Sequence, residues 1–284
     1  MNEMTRTSIL LASAGALLAS GACRPEDAPQ GERSMAAAAP NVVTIVATDF
    51  AYQAPAEIPA GLTTLAMVNQ GSEAHHAQLV RLGEGKRLAD FLELEEGAPQ
   101  PSWVSFVGGP NAADPGATAA ATSILEPGHY AIVCWIPSPD GVLHIAKGMA
   151  AEFDVTGTLD AQPVEPTADI VMTLVDYGFQ MSEPLTAGSH TIRVENEGGQ
   201  GHEVVVVKLM PGKTPEDFVA WVEQMEGPPP GSLRGGIVDL DPGAHAFFDL
   251  EIEPGDYALI CFLPDTQDGK PHFVHGMMKL VRVT

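Results

Sequence analysis

The feature that most constrains this chain is an internal repeat. Asp49 aligns with Asp176, an offset of 127 positions, and the match runs without a gap from Val43 to Pro137. Beyond that point the offset becomes 128, because the second copy carries one extra residue near Thr266. A repeat of this length is a whole folding unit written twice, so both copies should adopt the same fold.

The repeat divides the chain into a first domain over residues 41–157, a polar linker over 158–167 and a second domain over 168–284. The full length of 284 residues agrees with two domains at roughly 150 residues each. Gly (29) and Pro (24) are abundant and aromatic residues make up only 6%, which favours short strands joined by turns. The linker leaves the separation of the two domains open.

Within each repeat the pattern predicts mainly strands. The stretch His202–Leu209 is rich in β-branched residues, and its counterpart begins at His75. Glu-Pro-Gly turns precede strands at 130–134 and 257–261, and the strand period of two places Tyr130, Ile132 and Cys134 on one face.

One helix interrupts the strands of each repeat. A capping box with Pro at the first helical position opens a helix over 214–226, and a less well capped helix is expected over 87–96. The predicted fold class is therefore all-β, with two tandem Greek-key β-sandwiches that each contain a short inserted helix.

The N-terminal residues have the pattern of an export signal. An apolar run of about 14 residues, too short to span a membrane, lies within residues 1–22 and is followed by Cys23. Small residues before this cysteine resemble a bacterial lipoprotein box, which implies that Cys23 is lipidated; ordinary signal cleavage is the alternative. Residues 23–40 are rich in Ala and Pro and read as a flexible tether. We expect a protein of the periplasm or outer cell surface that meets the membrane only through a lipid anchor.

The charge of the chain limits its partners. Acidic residues outnumber basic ones 37 to 14, for a formal net charge of −23. Nucleic-acid binding through phosphates is excluded, because it requires a basic surface. A partner recognised by charge would be basic, for example a small redox protein such as a c-type cytochrome.

The repeat also selects candidate metal ligands. Of nine histidines only two pairs coincide between the repeats, and of eleven methionines only one pair; the two cysteines of the repeats coincide as well. These positions are His75, Cys134, His144 and Met149 in the first repeat and His202, Cys261, His272 and Met277 in the second. Two imidazoles, a thiolate and a weak axial thioether are the ligands of a blue-copper electron-transfer site.

Zinc binding and a disulfide are two alternative uses of the cysteines. Zinc binds Cys and His, but Met is a poor zinc ligand and copper lies above zinc in the affinity order. A disulfide between Cys134 and Cys261 is possible in an exported protein, although nothing in the sequence brings the two close together.

Each repeat resembles a cupredoxin, the blue-copper family of β-sandwiches. The runs Cys134-Trp135-Ile136-Pro137 and His144-Ile145-Ala146-Lys147-Gly148-Met149, with their counterparts beginning at Cys261 and His272, are most similar to the blue-copper loop of copper nitrite reductases. The resemblance implies a type 1 copper held by the four ligands of each repeat, and up to two coppers per chain.

Three departures from that family bear on function. The residues before the cysteines are Val133 and Ile260, where nitrite reductases supply a histidine to their catalytic copper. No His-x-His pair occurs, which argues against the trinuclear centre of multicopper oxidases. The position after the first ligand, usually Asn in the family, holds His76 or Glu203. An electron carrier is therefore expected rather than a catalyst, with copper storage or delivery, or a metal-free scaffold, as alternatives.

Overall fold

The computed structural model describes residues 40–95, 98–159 and 163–284. The predicted signal peptide, nearly all of the predicted tether and Cys23 lie outside these residues. Within the described ranges, no helix combines the length and apolar character needed to cross a membrane.

Both repeats consist mainly of strands. Those of the first repeat are β1 (Asn41–Thr48), β2 (Ala51–Gln53), β3 (Glu57–Pro59), β4 (Gly61–Asn69), β5 (Gln78–Leu82), β6 (Val104–Phe106), β7 (Thr118–Leu125), β8 (Gly128–Val133) and β9 (Ala150–Thr156). Those of the second are β10 (Ile170–Val175), β11 (Gly178–Met181), β12 (Gly188–Asn196), β13 (His202–Leu209), β14 (Gly231–Leu240), β15 (His245–Ile252), β16 (Gly255–Ile260) and β17 (Met278–Val283).

Each repeat folds as a sandwich of two sheets; three of these four sheets are mixed, and β14-β13-β16-β17 is antiparallel throughout. In the first repeat the strand orders are β2-β1-β4-β7 and β3-β9-β8-β5-β6; in the second they are β11-β10-β12-β15 and β14-β13-β16-β17. The pairs β1–β4 and β10–β12 are parallel, and both are flanked by antiparallel neighbours. The prediction of two tandem Greek-key sandwiches is confirmed.

The period of two along β8 divides its side chains between two cores. Tyr130, Ile132 and Cys134 are buried between the sheets, as predicted, whereas Ala131 and Val133 pack on the outer side of the second sheet. The strand β16 repeats this division in the second repeat. The alternation places each cysteine thiol inside its sandwich, immediately after the strand ends.

The inserted helices cover the outer cores. Helix α2 (Pro215–Gln224) has the predicted capping box: the Thr214 side chain accepts from the Asp217 N–H, and the Asp217 carboxylate accepts from the Thr214 N–H. Helix α1 (Leu88–Leu92) is shorter than the predicted 87–96 and lacks a side-chain oxygen as N-cap acceptor. Its last turn contains no basic residue and is followed by Glu93 and Glu95, whose charges are unfavourable at the negative end of a helix dipole.

The two repeats are directly hydrogen-bonded to each other, which the linker sequence left open. Strand β7 pairs with β15 at Thr122 and Phe247, so the first sheets of the repeats form one sheet of eight strands. Residues 106–111 also run beside β14, with backbone bonds from Gly108 N to Asp239 O (2.9 Å) and from Asn111 N to Gly236 O (3.1 Å). The described residues belong to one compact body.

Glycine is required in both segments that form this contact, at the point where each lies against the backbone of its own repeat. Gly109 has a φ of 123°, and a Cβ there would lie 2.2 Å from the carbonyl oxygen of Ala77. Its counterpart Gly236 has a φ of 116°, and a Cβ there would lie 2.0 Å from the carbonyl oxygen of Val204. Both positions combine a positive φ with a close backbone contact. A side chain at Gly109 would therefore push its segment away from Ala77, and one at Gly236 would push its segment away from Val204.

Candidate metal centres

The structure brings together three of the four predicted ligands of the first repeat. The Nδ1 atoms of His75 and His144 lie 3.1 Å apart, and the Cys134 Sγ lies 3.4 Å from Nδ1 of His144. All three residues are fully buried, and their ligand atoms lie within 4.8 Å of one another. A single ion bonded at about 2.0 Å to nitrogen and 2.3 Å to sulfur could be shared by donors with these separations.

A closed loop positions Cys134 and His144. Cys134 follows β8, and a short 3-10 helix (His144–Lys147) begins ten residues later. The carbonyl of Cys134 accepts a hydrogen bond from the N–H of Ile145 (2.8 Å), which brings the base of the loop back to its start. His75 arrives from the loop after β4, where its backbone exchanges two hydrogen bonds with Ala113 (3.3 and 2.9 Å).

The backbone of Met149 is hydrogen-bonded to the loop that carries Cys134 and His144. Its N–H donates to the carbonyl of His144 (2.9 Å), and its carbonyl accepts from the N–H of Cys134 (3.3 Å). Gly148 adopts a φ of 100°, which allows the chain to reverse between the 3-10 helix and this residue. The methionine is fully buried in the same core as Cys134.

The second repeat reproduces this arrangement. The Nδ1 atoms of His202 and His272 lie 3.0 Å apart, and the Cys261 Sγ lies 3.3 Å from Nδ1 of His272. Met277 is buried, donates to the carbonyl of His272 (3.0 Å) and accepts from Cys261 (3.1 Å). Cys261, like Cys134, is a free thiol, so the structure offers no support for the disulfide.

A carboxylate holds the outer nitrogen of the first histidine in each centre. Nε2 of His75 lies 2.9 Å from Asp49 Oδ1, and Nε2 of His202 lies 2.8 Å from Asp176 Oδ1. The carboxylate accepts a hydrogen bond from the Nε2–H, which leaves the lone pair of Nδ1 directed at the thiol and the second imidazole. Carboxylates behind metal-bound histidines fix the tautomer in this way. Sequence reasoning aligned Asp49 with Asp176 but gave them no role; their coincidence in the repeat was the available signal.

These hydrogen bonds also lower the pKa values of the two carboxylic acids. Burial alone would raise the pKa of Asp49, but hydrogen bonds from Ser72 and His75 outweigh it and hold that pKa well below its usual range. The hydrogen bond from His202 lowers the pKa of Asp176. Burial lowers the pKa of both His75 and His202, so both rings are neutral near pH 7 and able to donate a lone pair to a metal.

The outer nitrogen of the second histidine distinguishes the centres. Nε2 of His144 lies 2.9 Å from Glu73 Oε2, so this ring also has a carboxylate partner. Nε2 of His272 is buried, and no described residue is its hydrogen-bond partner. The residue matching Glu73 is Gln200, and its amide instead donates to Asp265 (2.8 Å).

The position after the first ligand supports the thiol loop in both repeats. His76 Nε2 accepts a hydrogen bond from the backbone N–H of Trp135 (2.8 Å), the residue that follows Cys134. Glu203 Oε1 accepts the equivalent bond from Phe262 (3.0 Å), which follows Cys261. The sequence showed only that the family's usual Asn was replaced; the structure shows that both replacements are buried acceptors for the same backbone donor.

The thiols are protonated near pH 7 without a metal. Burial raises the pKa of Cys134 to about 11, against the opposing effect of hydrogen bonds that include one from Tyr52. Burial, followed by the charge of Glu203, raises the pKa of Cys261 well above its usual range. Phe179 occupies the position of Tyr52 in the second repeat, so the second thiol lacks this hydroxyl. A bound metal would displace the thiol proton in both centres.

A further group lies beside the second centre. Asp265, Asp268 and His275 place one ligand atom each within 4.8 Å of the others. Asp268 already pairs with Lys270 (3.0 Å) and His275 (3.1 Å), and both Asp268 and His275 are exposed. This group contains no thiol and is separate from the predicted ligand set.

No protein-family model matches the chain, and no curated protein matches it significantly. Among solved structures, auracyanin from Roseiflexus castenholzii is 20% identical and is covered over 94% of its length by 40% of this chain, with a TM-score of 0.29. The nitrite reductase NirK from Thermus scotoductus SA-01 is 11% identical over 86% of this chain and 61% of its own, with a TM-score of 0.24.

A blue copper oxidase from Nitrosomonas europaea is 14% identical over 85% of both chains, with a TM-score of 0.24. In each repeat of the chain described here, two sheets enclose a buried cysteine at the end of one strand, and two histidines from separate chain segments lie beside it. The chain has a cupredoxin-like fold, repeated in tandem.

Proposed function

We propose that the protein binds copper at both centres and transfers single electrons. The observation that carries the proposal is the twofold occurrence of two imidazole Nδ1 atoms and a thiol sulfur converging at 3.0–3.4 Å. Copper bound by two histidines, a cysteine and a methionine supplies reversible one-electron chemistry. The solved structures named above include one described as a Cu-containing nitrite reductase and one described as a blue copper oxidase.

The surroundings of the ligands support electron transfer over catalysis. All six histidine and cysteine ligands are fully buried, and the backbone of both methionines is bonded into the ligand loop. Asp49 and Asp176 hold the first histidines in one orientation. A site held this firmly would change little in geometry when its charge changes, which favours rapid electron exchange, and burial would keep water and substrates away from the metal.

Export and a basic redox partner belong to the same proposal. The apolar run before Cys23 and the net charge of −23 support an anchored protein of the periplasm or outer cell surface that meets a basic partner, such as a c-type cytochrome. Partner choice can be tested by measuring electron exchange with basic and acidic cytochromes at increasing ionic strength, where only the basic partner should lose rate.

Titration with Cu(II), followed by visible absorption and metal analysis, tests the central proposal. We expect an intense thiolate-to-copper band that saturates at two coppers per chain. Cys134→Ser and Cys261→Ser should each remove one copper and its share of the band, and the double variant should remain colourless. Cys23→Ser is the matched control, because it removes the third cysteine and should leave both bands unchanged.

The result also distinguishes the alternatives. Reversible reduction and oxidation of both bands supports electron transfer, whereas efficient handover of Cu(I) to a metal-free acceptor would support storage or delivery. A wild-type protein that takes up no copper would overturn the proposal and leave a metal-free scaffold.

A further inference from the structure

One side chain of the first repeat is inserted into the second repeat beside its metal centre. Asn111 is 1% exposed and lies at the end of the segment 106–111 that runs along β14. Its Nδ2 lies 3.1 Å from Glu203 Oε2, from the carbonyl of Val204 and from the carbonyl of Ile237, all of which belong to the second repeat. Its Oδ1 accepts from the N–H of Ala112 (2.7 Å), which fixes the amide orientation.

Glu203, which accepts from the Asn111 amide, is next to one predicted ligand in the chain and is hydrogen-bonded to the residue after another. Glu203 follows His202, and its other oxygen accepts from the N–H of Phe262, which follows Cys261. Glu203 therefore joins the two chain segments that carry a histidine and the cysteine of the second centre. With Asn111 in place, both carboxylate oxygens of this buried side chain have donors.

The first centre has no equivalent support. His76 occupies the place of Glu203, and the repeat places Val238 where Asn111 would be needed. The side chain of Val238 has no donor, so it cannot make the side-chain hydrogen bond toward the first centre that Asn111 makes toward the second. At this position the second centre therefore depends on a side chain of the first repeat, whereas the first centre has no such dependence on the second repeat.

We propose that Asn111 is a positioning residue of the second metal centre, acting through Glu203. All four ligands of that centre belong to the second repeat, but the support of its cysteine loop is completed by the first. Loss of the Asn111 amide leaves Glu203 Oε2 buried without a donor, so Glu203 should move toward another donor and take the Phe262 N–H and the Cys261 loop with it. The inference rests on the proposed copper binding.

The test measures each centre separately, using Cys134→Ser to leave only the second centre and Cys261→Ser to leave only the first. Cu(II) affinity is measured by chelator competition, together with the energy of the thiolate-to-copper band. In the Cys134→Ser parent we expect Asn111→Ala to lower affinity about 10- to 100-fold and to shift the band, as for loss of other outer partners of metal ligands. In the Cys261→Ser parent the same substitution should leave both quantities unchanged.

Gln78→Ala is the matched control. Gln78 is a buried amide that also bonds across the repeat contact, to the carbonyl of Asp239 (3.1 Å), but it has no bond to Glu203. It should lower the melting temperature without changing the second band. If Asn111 acts through Glu203, the double variant Glu203→Ala/Asn111→Ala should lose no more affinity than Glu203→Ala alone. Asn111→Ser, which is short but polar, serves as a second variant if Asn111→Ala does not fold.

The failures can be told apart. A Cys134→Ser parent that binds no copper would overturn the proposed function and this inference with it. A parent that binds copper while the Asn111 variants stay within twofold of its affinity would overturn the inference alone. Equal losses at both centres, or in Gln78→Ala, would also overturn it, because they would show general weakening of the repeat contact.

Discussion

The two candidate metal centres share their predicted ligands but differ in several of the contacts around them. The histidines, cysteine, methionine and the carboxylate behind the first histidine coincide, with Asp49 matching Asp176. Around them, Glu73 faces His144 in the first centre, whereas His272 has no partner at Nε2 in the second. The donor set, its first orienting carboxylate and the acceptor for the N–H after the cysteine recur in both repeats, whereas the partner of the second histidine differs.

The contact between the repeats sharpens this difference. Asn111 and Ala112 of the first repeat match Val238 and Asp239 of the second, so the same two positions contribute a buried amide on one side and a buried acid on the other. The two repeats pack against each other here, so matching positions occupy unlike surroundings and carry different side chains.

The largest effect is expected from the shared carboxylates. Asp49→Ala should lower copper affinity at the first centre, and Asp176→Ala at the second, each by about 10- to 100-fold, because the histidine loses the acceptor that fixes its tautomer and orientation. Chelator competition in the single-centre parents measures both values. Asp154→Ala is the control, since Asp154 pairs with His129 (2.7 Å), which is not a ligand. An effect confined to one centre would break the equivalence of the two carboxylates.

The buried acid at the repeat contact should affect stability. Burial, followed by the charges of Asp241 and Glu203, raises the pKa of Asp239 well above its usual range, and its Oδ1 has no hydrogen-bond partner. The unfolded chain releases this proton near pH 4, whereas the folded chain keeps it, so stability falls as the pH rises from about 4 through the raised pKa.

Asp239→Asn should therefore raise the free energy of unfolding by about 1–2 kcal/mol at pH 8, with a smaller gain near pH 4. Urea unfolding of the metal-free protein at both pH values checks this. A gain that is the same at both pH values would contradict the assignment to Asp239 ionisation.

The carboxylate found only at the first centre should have a more modest effect. Glu73→Gln gives the first centre the residue of the second, and should lower its copper affinity by up to about tenfold because the amide is a weaker acceptor for His144. The second centre in the same protein is the internal control. Unchanged affinity at the first centre would mean that the Glu73–His144 bond does not distinguish the two.

The smallest effect concerns the inserted helices. Thr214→Ala removes the side-chain cap of α2 and should lower the free energy of unfolding by about 1 kcal/mol in urea titration. Arg87→Ala, at the start of α1, should have a smaller effect through the cap, because no side-chain oxygen is lost and the bond from the residue 87 N–H to Asp90 remains. Lys213→Ala provides a neighbouring control. Equal losses at both helix starts would contradict the difference in capping.

Much of the fold and of the candidate site was predictable from the repeat. Strand period placed Tyr130, Ile132 and Cys134 in one core, because side chains alternate in any strand. The capping box at Thr214 was predictable because it depends on residues only three positions apart. The sequence pattern predicted a longer α1 than the structure has. The capping and periodicity signals used for that prediction do not include the unfavourable effect of acidic residues after Leu92 on the end of the helix.

The sequence by itself determined the two repeats, their strands and which histidines, cysteines and methionines recur, because repetition and local periodicity are properties of residue order. Only the tertiary structure decided that Asp49, Glu73 and His76 contact the ligands or their loop, and that Asn111 reaches Glu203. The last of these pairs joins positions 92 residues apart across a contact between repeats. No local pattern encodes such a contact, because it depends on how two folded surfaces pack.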